Sequence, residues 1–193
     1  MTQRNPKRAA ERMIEIPSRM ELLNVLSTQP SRFWTLRAIS KHCRLNKQQE
    51  EGVTKRLLAM TKDKQVAQKK DKFKWLKPLA VCYGRVVVRR FGDAYVLTDS
   101  DQYTQVQLSG RQSFDVLPDD KVNIMVTHQY NGLYYGVLTA LPSERITVIN
   151  GLFDEDAKGP FLMPLDKRLP NRIALEPTNH SPEHGVMIEA KIL

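Results

Sequence analysis

The first 64 residues carry their apolar side chains at helical spacing, and this pattern predicts three short helices. Ser18, Thr35 and Asn46 are N-cap candidates, because their side-chain oxygens can accept a hydrogen bond from a free backbone N–H of the first turn. Pro30 is expected to end the first helix, and the third is expected to end near Asp63. The positions expected to be buried are Leu22, Leu23, Val25, Leu26, Leu36, Ile39, Cys43, Val53, Leu57 and Met60.

A short basic hairpin is predicted directly after the third helix, with its turn at 69–71. Side chains alternate across a strand, so Phe73 and Trp75 should share one face while Lys72 and Lys74 share the other. Three helices followed by a basic hairpin is the order of a winged helix-turn-helix. In that fold the third helix and the hairpin lie against a nucleic-acid backbone.

From about residue 80 onward, apolar residues alternate with polar ones or form short β-branched runs, which predicts strands. Five candidates are Val81–Val88, Ala94–Leu97, Tyr103–Leu108, Lys121–Thr127 and Leu133–Leu138. Five strands with short turns are typical of a small OB or cold-shock-like barrel. Four more candidates are Arg145–Phe153, Phe161–Met163, Arg172–Leu175 and Gly185–Leu193, so a second such barrel is predicted with one strand fewer than closure needs.

The predicted fold class is therefore α+β and multidomain. The predicted domains are a basic flexible arm over 1–15, a winged helix over 16–79, a first barrel over 80–141 and a second, four-stranded barrel over 142–193. An amphipathic targeting presequence is the alternative for the arm, but two glutamates among its residues count against it.

Charge is distributed unevenly along the chain, whose formal net charge is +9. Residues 1–80 hold 19 Lys+Arg and 7 Asp+Glu, whereas residues 81–193 hold 11 and 14. An anionic partner, first of all nucleic acid, is therefore expected for the N-terminal part. The chain has no long apolar stretch and 2 cysteines, so we expect no membrane partner, no cofactor, no metal and a cytoplasmic location.

The candidate phosphate-binding residues lie on the third helix and the hairpin. They are Lys47, Lys55, Arg56, Lys62, Lys69, Lys70, Lys72 and Lys74. Cationic side chains that neutralise phosphates release condensed counterions, so binding through them weakens steeply with salt. The alternative is a solvated lysine face on an ordinary small helical domain. Seven lysines between Lys62 and Lys77, with an aromatic pair among them, favour a contact surface.

Several short motifs resemble, in their order and spacing, the N-terminal region of the ribonuclease R and ribonuclease II family. They are Ile16–Arg19, Arg56–Met60, Asp63–Gln65, Tyr83–Val86, Arg89–Leu97, Asp119–Val122, Gly151–Phe153 and Gly159–Leu162. The resemblance covers nearly the whole chain from about Ile16. It implies a winged helix and two cold-shock barrels that, in the family, precede a catalytic domain. It also implies RNA as the partner.

The resemblance adds candidate RNA contacts on the first barrel, which are Arg85, Arg89, Arg90, Phe91 and Tyr95. Phe91 and Tyr95 are candidates for base stacking, although either could equally belong to the core. Gln105 and Gln107 stand where the family tends to place an aromatic residue, so we expect weak stacking on the barrel. The basic N-terminal part is then expected to dominate binding.

No catalytic residue is predicted in this chain, because the family's metal-binding aspartates belong to its exonuclease domain. The acidic residues here lie in predicted turns and are expected to form loops; they are Asp99, Asp101, Asp119, Asp120, Asp154, Glu155 and Asp156. His180 and His184 have helical spacing, but Pro182 between them opposes a helix, so no metal site is expected.

Three functions are compatible with the sequence. The first is a non-catalytic RNA-binding protein of ribonuclease R type, which presents RNA to a nuclease or a ribosome-associated machine. The second is a winged-helix DNA-binding regulator. The third is a protein adaptor that docks on a ribonuclease or RNA polymerase.

Overall fold

The computed structural model describes residues 16–140, 148–176 and 182–191, so the predicted arm over 1–15 lies outside the described residues. Two compact units, Met1–Lys77 and Pro78–Leu193, divide the chain close to the boundary predicted at 79/80. Helices and a small sheet form the first unit and strands form the second, which confirms the α+β class. Across the described residues, no helix is both long and apolar enough to cross a membrane.

Three helices form in the first unit, each beginning after a residue that caps it. They are α1 (Arg19–Ser27), α2 (Leu36–Cys43) and α3 (Lys47–Lys62). The predicted caps Ser18, Thr35 and Asn46 each accept a hydrogen bond from the backbone N–H of the third helical residue. The first helix ends at Ser27, short of the proline predicted to stop it.

Three of the expected core positions, Val25, Leu36 and Cys43, are only half-buried. Leu36 and Cys43 lie at the ends of α2, which has eight residues and buries Ile39 at its centre. The partial burial nevertheless raises the pKa of the Cys43 thiol above its ordinary value.

A small antiparallel sheet completes the first unit. Its strands are β1 (Trp34–Thr35), β2 (Val66–Lys69) and β3 (Lys72–Trp75), in the order β1-β3-β2. Trp34 pairs with Phe73, and both side chains are buried together with Val66. The hairpin predicted after the third helix is thus present, with its apolar face turned inward.

Two arginines hold the start of α1 to α3. Arg19 donates from Nη1 to Asp63 Oδ2 at 2.5 Å and to Gln65 Oε1 at 2.7 Å. Arg56 of α3 donates to two backbone carbonyls just before α1. Asp63 and Gln65 are buried, so loss of Arg19 would leave a buried carboxylate without its partner. The motif segments at 16–19 and 63–65 therefore meet in the fold.

Five strands of the second unit close into a barrel, as predicted. They are β4 (Ala80–Arg90), β5 (Asp93–Thr98), β6 (Gln105–Leu108), β7 (Lys121–Tyr130) and β8 (Leu133–Leu138). Their order is β4-β5-β6-β8-β7, with β8 parallel to β6 and every other neighbouring pair antiparallel. The alternating pattern turns Val86, Val96, Val106 and Ile124 inward, where all four are fully buried.

Gly84 lies where β4 passes from one neighbour to the other. Residues 80–85 pair with β7 and residues 84–90 pair with β5. A Cβ atom on Gly84 would lie 2.2 Å from the carbonyl oxygen of Leu97 and 2.8 Å from Thr98 Cα. Because backbone occupies that space, this position accepts no side chain.

The remaining strands form an open antiparallel sheet. They are β9 (Val148–Asp156), β10 (Gly159–Pro164), β11 (Ile173–Ala174) and β12 (Met187–Lys191). Their order, β11-β10-β9-β12, repeats the barrel order β6-β5-β4-β7, with no counterpart of β8 among the described residues. Gly151 takes the place of Gly84, since its Cβ would lie 2.4 Å from the Met163 carbonyl oxygen. The predicted second barrel is therefore an open sheet here, and its closure stays a prediction.

Candidate nucleic-acid interface

The outer face of the hairpin β2–β3 collects the predicted wing lysines. Lys69 pairs directly with Lys72, and Lys74 lies two residues further along the same face, opposite Ala67. Lys69 and Lys72 are exposed, whereas Lys74 is half-buried. Lys70 occupies the turn with a φ of 55°, in the left-handed region that favours glycine. We call Lys69, Lys70, Lys72 and Lys74 the lysine face.

The lysine face carries charge that the described part of the chain does not neutralise. None of its four ammonium groups forms an ion pair with a carboxylate of residues 16–140, 148–176 or 182–191. The like charges of Lys69 and Lys72 stand directly opposite each other, an arrangement that disfavours a hairpin by a few tenths to about 1 kcal/mol. A polyanion lying on this face would relieve that repulsion.

An aromatic ring lies beside the lysine face. The Lys74 ammonium group is 5.8 Å from the centroid of the exposed Phe33 ring. Next to Phe33 in the chain, the Arg32 guanidinium lies 4.4 Å over the ring of Trp34. Each of these two aromatic rings is therefore contacted by a cationic group.

The predicted contacts on α3 have different surroundings. Lys47, Lys55 and Lys62 are exposed, and the helical repeat places them on one face. Lys55 Nζ lies 2.7 Å from Glu51 Oε1, and this bond lowers the pKa of the Glu51 carboxyl. The pair is fully exposed, so Lys55 can exchange it for a phosphate at little cost.

Arg56 differs from the other predicted contacts. Its Nη1 donates to the backbone carbonyl of Ile16 at 3.0 Å and to that of Pro17. Burial, together with the charge of the nearby Arg19, lowers the pKa of the guanidinium. We therefore assign Arg56 to the packing of the first unit and leave it out of the lysine face.

The barrel arginines are partly engaged with acidic neighbours. Arg85 Nη1 lies 2.6 Å from Asp119 Oδ1, and Arg90 Nε lies 4.0 Å from Asp93 Oδ2. These pairs are exposed and therefore contribute little to stability. They reduce the positive charge that the barrel offers to a polyanion, in keeping with the weaker role predicted for it.

The two predicted stacking residues are on the surface of the barrel and not in its core. Phe91 is 45% exposed, and its ring meets that of Phe114 at 5.1 Å in an edge-to-face arrangement. Tyr95 is half-buried on the outer face of β5, with the Arg89 guanidinium 5.0 Å over its ring. Both positions leave part of an aromatic ring open to solvent.

Several aromatic residues of the barrel surface were not predicted as contacts, and three of them form ring contacts there. Phe114 is the last residue of the 3₁₀ helix Gly110–Phe114, and this helix places its ring against that of Phe91. Tyr135 and His128 stack at 5.2 Å with their planes 16° apart. The alternating pattern of β8 could have placed Tyr135 outside, but the β7–β8 register and its bulge were needed to find His128.

The acidic and histidine residues were considered in the sequence as possible metal ligands. No group of three His, Cys, Asp or Glu side chains able to hold a metal ion occurs there. His184 Nδ1 lies 2.6 Å from Asp154 Oδ1 in an exposed pair, while His180 lies outside the described residues.

No family model matches this chain, and no curated protein matches it. The candidate contact residues are therefore identified from the geometry of each unit by itself: the lysine face in the first unit and the exposed aromatic residues of the barrel in the second.

Proposed function

We propose that the chain binds RNA, with phosphate groups lying on the lysine face of the β2–β3 hairpin. The observation that carries this proposal is the direct pairing of Lys69 with Lys72, with no carboxylate of the described residues joined to either. Such a pair opposes folding of the hairpin and favours an anionic ligand. Release of counterions from the RNA would then supply much of the binding free energy.

The order of elements in the first unit supports a winged helix. A helix, a short strand, two helices and a two-stranded hairpin follow one another from α1 to β3. In such a domain the hairpin is the wing, which contacts the nucleic-acid backbone. The barrel order and its parallel β6–β8 pair support an OB-type barrel, which in other proteins binds oligonucleotides.

We further propose that the chain is related to the N-terminal region of the ribonuclease R and ribonuclease II family and acts without cleaving RNA. Its role would be to hold RNA in the cytoplasm for a nuclease or a ribosome-associated machine. Contacts between the motif segments that carry the resemblance support this. Arg19 and Arg56 lie in these segments, and their hydrogen bonds to other motif residues join the start of α1 to α3.

The test is a competition binding experiment with single-stranded RNA, duplex RNA and duplex DNA of about 12 nucleotides, at about 50 and about 200 mM salt. We expect RNA to compete best and affinity to fall steeply with salt. Preference for duplex DNA would favour a DNA-binding regulator instead. Binding to none of the three, with a protein partner retained after nuclease treatment, would favour an adaptor.

A further inference from the structure

The outer surface of the barrel holds a row of side chains that crosses three neighbouring strands. Tyr95 of β5 is in register with Gln107 of β6, and Gln107 is in register with Tyr135 of β8. Register partners in a sheet face the same side, so Gln107 lies between the two tyrosines. All three side chains are half-buried.

Each tyrosine ring is contacted by a side chain from the neighbouring strand on the far side from Gln107. Arg89, which covers Tyr95, comes from β4, the strand on the far side of β5 from β6. His128, which stacks on Tyr135, comes from β7, the strand on the far side of β8 from β6. Among the described residues neither ring has a second aromatic or cation–π partner, so none approaches from the side of Gln107.

The separation of the two tyrosine positions is compatible with a nucleobase between their rings. Two strand spacings separate Tyr95 from Tyr135, which amounts to roughly 10 Å at the backbone. A base stacked between two rings needs about 7 Å, which is twice the rise of about 3.4 Å for one stacked base. The separation of the two strands is therefore wide enough for one base to lie above Gln107, and we call this position the slot.

Gln107 supplies hydrogen-bonding groups at the bottom of the slot. Its amide offers one acceptor and two donors, and it forms no side-chain hydrogen bond with the described residues of the chain. Glutamine contacts adenine with two hydrogen bonds, to N6 and N7. Adenine also offers a purine surface for stacking on tyrosine.

We propose that the slot formed by Tyr95, Gln107 and Tyr135 binds one unpaired adenine of an RNA strand. This inference rests on the proposed RNA binding and adds base selectivity to it. The lysine face gives affinity for any strand, because phosphates are the same in every sequence, and the slot gives preference for a strand with an accessible adenine.

The test compares two RNA octamers on the full chain, one of uridines alone and one with a single central adenosine, by fluorescence anisotropy. We expect the adenosine to tighten binding at least fivefold. Gln107→Leu should abolish this gain, because leucine cannot form the two hydrogen bonds to adenine. Gln105→Leu is the matched control, since Gln105 lies on the same strand and face but opposite Leu97, and it should keep the gain.

The outcomes separate the two proposals. Equal affinity of the unaltered chain for both octamers, or a gain that survives in Gln107→Leu, would overturn the adenine slot and leave RNA binding in place. Failure of both octamers to bind would overturn the RNA-binding proposal and the slot with it. Tyr135→Ala should also remove the gain, and thermal unfolding should verify that each variant is folded.

Discussion

Neutralising three lysines of the lysine face is expected to remove a defined part of the salt dependence of RNA binding. The variant replaces Lys69, Lys70 and Lys72 by glutamine, which keeps the side-chain length and removes three charges. Lys74 stays unchanged, because its ammonium group lies over the Phe33 ring and its loss would also alter packing. The change should leave the fold intact, because all three side chains are exposed.

The magnitude follows from counterion release. Each phosphate contact on a single strand contributes about −0.7 to the slope of log affinity against log salt, so three contacts contribute about −2.1. Raising the salt from about 50 to about 200 mM should then weaken the unaltered chain roughly 20-fold through these contacts alone. The variant should lose that part of the slope and at least tenfold in affinity at the lower salt.

A matched control and a stability measurement make this prediction specific. Glutamine at Lys158, Lys167 and Lys191 removes the same charge from exposed positions of the second unit and should leave the slope unchanged. Lys69→Gln alone should stabilise the hairpin slightly, by up to about 1 kcal/mol, because it removes the cross-strand repulsion from Lys72. Equal slopes for the two triple variants would refute the assignment of phosphate contacts to this face.

Three further predictions concern the fold and the chemistry. Gly84→Ala should destabilise the barrel by at least about 2 kcal/mol in urea unfolding, because its Cβ would lie 2.2 Å from the Leu97 carbonyl oxygen; unchanged stability would contradict the strand geometry. The Arg172 guanidinium donates to Asp156 and lowers the pKa of its carboxyl, so the stability from this pair should be present above the unfolded pKa of about 3.9 and be lost as pH falls through the lower folded value. In an NMR titration, Arg172→Gln should raise the Asp156 pKa toward its ordinary value, and an unmoved titration would contradict the pairing. The purified chain should not degrade RNA in the presence of magnesium, and an activity that co-purifies with the chain would contradict the non-catalytic assignment.

Local features of the fold could be predicted from the sequence, because their causes lie within a few residues of one another. Ser18, Thr35 and Asn46 cap the three helices through hydrogen bonds to residues three positions on. Alternation along the hairpin placed Lys72 and Lys74 together on one face, opposite Phe73. These regularities require no knowledge of tertiary contacts.

Features that depend on distant partners could not be predicted in the same way. Arg85 was expected to face RNA, yet its carboxylate partner Asp119 is 34 residues away in sequence. Gln107 was interpreted as the loss of a stacking residue. The parallel pairing of β6 with β8 gives it a different context, since it brings Tyr135 to one side of Gln107 while Tyr95 lies on the other. The neighbours of Arg85 and Gln107 both depend on how segments distant in sequence pair with one another.

Mapping the RNA contact on the full chain tests the central claim most directly. Backbone amide NMR shifts would be followed while a single-stranded RNA of about 12 nucleotides is added. We expect the largest shifts at Lys69, Lys70 and Lys72, with smaller ones on the outer face of the barrel and none on β9–β10. Shifts confined to β9–β10, or a hairpin that RNA leaves unchanged, would contradict the account.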